Sequence, residues 1–250
     1  MSWHGQFCWY ELMAGDLERA ADFYGMVMGW QVTSADMPGA DYRLFGKDGQ
    51  TMAGLIDRME GGPQGWIAYV AVDDADHAAS AAKASGAAIH RGPADIPGVG
   101  RFAIMSDPQG ALLAMLQPAP TDTATPPDLY DAPGRCGWHE LRVPDWKAAW
   151  SFYEPLFGWK KGGTVEMGPA GTYQLFGPAS LGRDFGGMMD GETPGWRYYF
   201  NVDALEAAIG RVESGGGSLV HGPTEVPGGS WVAVCRDPEG STFALTAGGR

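Results

Sequence analysis

Two glutamates stand where a carboxylate has chemical use. Glu11 follows Trp9 by two residues in WYELMAGD, and Glu140 follows Trp138 by two in WHELRVPD. Side chains alternate along a strand, so in each segment the tryptophan and the glutamate share one face. A carboxylate in apolar surroundings has a raised pKa and suits a general base or a hydrogen-bond acceptor for a ligand. The structural reading of the same residues is that each glutamate holds backbone amides or an indole N–H inside a packed barrel. The same parity extends the two faces. Met13 and Tyr69 join Trp9 and Glu11 in an aromatic, apolar lining with one acid. Arg142, Arg197 and Tyr199 join Trp138 and Glu140 in a more polar one. Glu140 and Arg142 lie two apart and can form a salt bridge, while Arg197 can anchor an anion or pair with Glu140. Trp9 and Trp138 serve either as core packing or as a stacking wall for a planar ligand.

Other chemistry finds less support. The five histidines (His4, His77, His90, His139, His221) are scattered, and His139, next to Glu140, faces the other side of its strand. The cysteines Cys8, Cys136 and Cys235 lack the short paired spacing of a zinc site and read as small buried side chains. IPGVGR and VPGGSW lead into no helix with a lysine, so they read as hairpin turns, not phosphate loops. A net charge of −13 without a basic run argues against nucleic acid and anionic membranes as partners. The N-terminal segment has no basic stretch followed by an apolar one, and no run of about 18 apolar residues occurs, so a cytoplasmic location is expected.

The elements that must position these residues come from a repeat. WYELMAGD recurs as WHELRVPD, FYGMVMGW as FYEPLFGW, YRLFG as YQLFG, and GWIAYVAVDD as GWRYYFNVDA. GPADIPGVGRFAIMSDPQG recurs as GPTEVPGGSWVAVCRDPEG, and every offset lies between 129 and 131. The two copies, 1–117 and 136–250, flank a Pro-rich linker at 118–135. Within the first copy, a strand at 6–13 leads to Asp16, which caps a helix with Leu17, Ala20, Ala21, Tyr24 and Val27 on its apolar face. Strands follow at 30–34, 42–45 and 51–56. The pattern restarts with a strand at 67–72, a helix at 75–84 capped by Asp73 or Asp74 and ended by Gly86, and strands at 87–90, 102–106 and 112–116. The fold class is therefore α+β: four β-α-β-β-β modules in two tandem domains. Their mixed sheets curl into cups whose free faces need a sister unit or a ligand.

This arrangement resembles the vicinal oxygen chelate superfamily of glyoxalase I, bleomycin-resistance proteins, fosfomycin-resistance enzymes and extradiol dioxygenases. The residues carrying the resemblance are the strand–Asp–helix start that ends in FYGMVMGW or FYEPLFGW, and the late turns SDPQG and RDPEG. The resemblance implies two tandem glyoxalase-like domains. In metal-dependent members it implies a divalent ion held by His, Glu or Gln from four strands. Those positions fall here on Trp9, Gly54, Ile67 and Ala114, and on Trp138, Gly187, Arg197 and Ala244, none of which binds a transition metal through its side chain. The expectation is a protein without metal or other cofactor that binds a small apolar or aromatic molecule. The alternative is a glyoxalase-like lyase or dioxygenase-type enzyme using Glu11 and Glu140 or an atypical metal site. A tandem of this kind is expected as a monomeric pseudo-dimer or a homodimer.

Overall fold

The computed structural model describes residues 3–35, 37, 40–60, 62–120 and 130–249. Its first module comprises β1 (Phe7–Ala14), α1 (Leu17–Met28), β2 (Gln31–Ala35), β3 (Tyr42–Lys47) and β4 (Gln50–Asp57). The second comprises β5 (Gly65–Ala71), α2 (Ala75–Ala84), β6 (Ala88–Ile96), β7 (Gly100–Ser106) and β8 (Leu112–Pro118). The third has β9 (Cys136–Val143), α3 (Trp146–Phe157), β10 (Trp159–Glu166), β11 (Thr172–Pro178) and β12 (Gly186–Asp190). The fourth has β13 (Gly195–Asn201), α4 (Leu205–Ser214), β14 (Ser218–Glu225), β15 (Trp231–Arg236) and β16 (Thr242–Ala247).

The helices start where a short polar side chain satisfies their free amides. Asp16 accepts from the Arg19 amide at 3.0 Å, Asp74 from His77 at 2.9 Å, and Asp145 from Lys147 and Ala148 at 2.9 and 3.0 Å. Each such cap is worth about 1 kcal/mol. Asp74, and not Asp73, is thus the cap of α2. Gly29, with φ at +70°, closes α1 in the left-handed conformation that glycine adopts without strain.

In every module the first strand runs parallel to the last, and the three closing strands form an antiparallel meander. A helix crossover is what a parallel pair requires. The result is two open eight-stranded sheets, ordered β2-β3-β4-β1-β5-β8-β7-β6 and β10-β11-β12-β9-β13-β16-β15-β14. Alternation in β1 buries Tyr10, Leu12 and Ala14 and leaves Trp9, Glu11 and Met13 half-buried. The latter three define a helix-free face.

Two compact units divide the chain, and each takes one module from each copy. One gathers the described residues within 1–8, 68–127 and 139–196, and the other those within 9–67, 128–138 and 197–250. The same polar chain runs inside each. In the second unit the Trp66 indole donates to Tyr24 Oη at 2.9 Å, and Tyr24 Oη–H donates to Asp237 at 3.0 Å. Asp237 also accepts from the Glu239 and Ser241 amides of its own turn. In the first unit Trp196, Tyr153 and Asp107 repeat this chain, with the Tyr153–Asp107 bond again at 3.0 Å. The turns also reach the sister module's helix start: the Glu239 carboxylate accepts from the Gly15 and Asp16 amides, and Gln109 bonds the Asp145 backbone. The late turns are hairpin turns as expected, and they also join modules that are distant in sequence.

One sequence expectation needs revision. The strand expected to end at His90 runs to Ile96, because register shifts after Ile89 and Arg91 absorb the Gly92-Pro93 pair that suggested an end. The expected linker lies partly outside the described residues, at 121–129. Its described end is anchored: Asn201 Nδ2 donates to the Tyr130 carbonyl at 2.6 Å, and the Gly134 amide donates to Asn201 at 2.7 Å.

Candidate functional site

On the helix-free face of the first module, β1 and β4 pair in parallel with Glu11 opposite Gly54. The Tyr42 ring, from the neighbouring β3, lies across that spot. A β-carbon placed on Gly54 would collide with Tyr42 Oη and stand 2.6 Å from Cζ and 3.3 Å from Trp9 Nε1. The Trp9 indole donates to Tyr42 Oη at 3.0 Å. The Tyr42 hydroxyl in turn donates to the Glu11 carboxylate, and burial together with the Glu11 charge holds the phenol pKa well above its ordinary value. Trp9, Tyr42 and Glu11 therefore form one hydrogen-bonded chain ending on a half-buried acceptor.

In the third module the tyrosine-over-glycine arrangement recurs, and the acid is held differently. Gly187 lies opposite Glu140, and a β-carbon on Gly187 would strike the ring of Tyr173, the counterpart of Tyr42, whose Oη would stand 2.6 Å away. Here the acid is ion-paired: Arg142 Nε donates to Glu140 Oε1 at 2.8 Å, with the Glu140 side chain 8% and that of Arg142 40% exposed. The pair anticipated from the two-residue spacing is present.

Other residues singled out from the sequence fall as follows. Trp138 packs with Val232 against buried Tyr199, Val234 and Ala244, and Tyr199 sits opposite Ala244 in register. Arg197 lies half-buried on β13. Tyr69 is buried on β5 opposite Ala114, with its ring 6.4 Å from Phe102. His139 is fully buried, stacked at 3.8 Å on Phe7, and its Nδ1 donates to the Phe185 carbonyl at 2.7 Å. Burial lowers its pKa to about 3, so it is a neutral core histidine. Cys136 and Cys235 are buried, and burial pushes both thiols up to about 12, which leaves them unreactive.

The sequence alone gives Tyr42 and Tyr173 no role, although YRLFG and YQLFG are among the repeated blocks. The available signal was that both copies place a tyrosine and a glycine at matching positions. Register alone reveals that the tyrosine covers the glycine.

Metal-binding side chains do not fit at Gly54 and Gly187. A ligand side chain at Gly54 or Gly187 would meet the Tyr42 or Tyr173 ring. Among the described residues, no group of three or more His, Cys, Asp or Glu side chains converges to hold an ion. Two surface cavities lie apart from the glutamates. One, of about 710 Å³, runs along α1 and β2 past Met26, Trp30 and Arg43, and the other, of about 300 Å³, lies between α2 and α3. Among the described residues no helix is long and apolar enough to cross a membrane.

The model of the Glyoxalase/Bleomycin resistance protein/Dioxygenase superfamily matches residues 6–115 and again 135–245. The anthracycline biosynthesis protein DnrV of Streptomyces peucetius is 29% identical over 263 residues, covering 96% of this chain and 92% of that protein. The putative glyoxylase CFP32 of Mycobacterium bovis is 42% identical over 118 residues, 46% of this chain and 45% of its own length. Among solved structures, the 2,3-dioxygenase LapB of Pseudomonas sp. KL28 shares the fold with a TM-score of 0.67 at 15% identity, covering 100% of this chain and 94% of that one.

Proposed function

We propose, for a chain that belongs to the glyoxalase/bleomycin resistance protein/dioxygenase superfamily, that it binds a small aromatic molecule on the helix-free face of its first module. The observation that carries this reading is the Trp9–Tyr42–Glu11 chain lying over Gly54. It offers an indole wall, a phenol and a carboxylate acceptor where metal-dependent relatives place a ligand. Such a surface suits a planar ring bearing a hydroxyl: the ring stacks and the hydroxyl donates to Glu11. Relatives named for anthracycline biosynthesis support a polycyclic aromatic ligand.

The test is a titration with quinizarin, a dihydroxyanthraquinone, followed by quenching of tryptophan fluorescence, with unsubstituted anthraquinone as comparator. Saturable binding of the hydroxylated compound is expected, weakened about tenfold or more, roughly 1.4 kcal/mol, in Trp9→Ala and in Glu11→Gln. Equal affinity in the wild type and both variants would remove the site from this face.

The second reading is an enzyme of the same superfamily in which Glu11 takes a proton from the bound hydroxyl or an adjacent carbon. Its support is the Tyr42 hydrogen bond, which steadies the carboxylate. On that reading Glu11→Gln abolishes turnover and leaves ligand affinity nearly intact.

A further inference from the structure

The residues of the first module's chain recur in the sequence of the second copy, with a charged difference next to the glutamate. Trp9, Glu11, Tyr42 and Gly54 recur as Trp138, Glu140, Tyr173 and Gly187, while the position two residues beyond the glutamate is Met13 in the first copy and Arg142 in the second. Resting on the function proposed above, we infer that the copies are specialised. The first presents a carboxylate that accepts from a phenolic hydroxyl, and Arg142 withdraws the equivalent carboxylate in the second.

Three observations carry this. First, Arg142 Nε donates to Glu140 Oε1 at 2.8 Å while keeping its own side chain 40% exposed, so this carboxylate's charge is matched by an adjacent cation. Second, the residue at the Arg142 position of the first module is a methionine, which brings no charge, and Glu11 there is bonded by a tyrosine hydroxyl. A neutral donor leaves a carboxylate its charge and further lone pairs for a second donor. Third, the two carboxylates differ in exposure: Glu140 is buried beside its arginine, whereas Glu11 is half-buried on the open face.

Binding stoichiometry reads this directly. Quinizarin is titrated into the intact chain, and bound equivalents are counted by equilibrium dialysis and native mass spectrometry. The wild type is expected to bind one equivalent, Arg142→Met two, and Met13→Arg none. Thermal melts and far-UV circular dichroism establish that each variant is folded. Met13→Arg, which leaves the buried Glu140 paired, keeps the inference testable if Arg142→Met does not fold. Two equivalents in the wild type, one in folded Arg142→Met, or undiminished binding by folded Met13→Arg would overturn the specialisation while leaving aromatic binding in place. No binding by the wild type would overturn both.

Discussion

Tyr24 and Asp237 are 213 residues apart in sequence, yet the tyrosine hydroxyl donates to the aspartate at 3.0 Å in a buried site. Tyr153 and Asp107 make the same bond at the same length in the other unit. The repeated FY pair and the repeated DP turn are thus two ends of one bond. Each joins a module of one copy to a module of the other.

Removing one end leaves a buried acceptor without its donor. Tyr24→Phe and Tyr153→Phe should each cost about 1–3 kcal/mol of stability, read from urea denaturation. A loss within error in both would show that the turn amides alone satisfy the aspartates.

His139 gives the protein an acid-sensitive core. Its pKa is lowered to about 3 by burial, whereas an unfolded histidine titrates near 6.5. The unfolded chain therefore takes up the proton first. The contribution is unaffected above pH ~6.5 and erodes as pH falls toward 3, by at most about 1.4 kcal/mol per pH unit. Asp237 acts in the opposite sense, since burial raises its pKa and the folded state binds that proton more readily. Comparison with His139→Gln isolates the histidine: the wild type should lose stability between pH 6.5 and 5 relative to the variant. Parallel profiles would contradict a neutral buried imidazole.

Gly54 and Tyr42 should show coupled energetics. Gly54→Ala forces a methyl group into the Tyr42 hydroxyl and should cost about 1–3 kcal/mol while weakening quinizarin binding. In a Tyr42→Ala background the same substitution should cost measurably less, because the obstructing ring is gone. Additive costs would mean that the ring does not occupy that space.

Much of this architecture is legible in the sequence because it is local. Asp16 and Asp145 before apolar stripes mark helix starts, and the five repeated blocks mark the copies. The helix at Ala75–Ala84 is read to the residue. What stays hidden depends on register and pairing. Nothing in the order of residues says that Tyr42 reaches past its own strand to cover Gly54, or that Tyr24 meets Asp237. Parity correctly turns His139 away from Glu140, but the neutrality of His139 comes from Phe7 and Phe185, which no spacing rule places beside it. The extension of β6 was hidden for a different reason: Gly92-Pro93 looks like a strand end and is absorbed as a bulge.

The central claim is that an aromatic hydrogen-bonded chain occupies the ground where metal-dependent members of the superfamily hold an ion. Elemental analysis of protein purified without chelator or affinity metal tests it most directly. A ratio of Zn, Ni, Mn or Fe to protein near zero, unchanged between the wild type and Glu11→Gln, is the predicted result. A ratio near one that falls in Glu11→Gln would contradict it, and would place a metal on the carboxylate assigned here to an organic ligand.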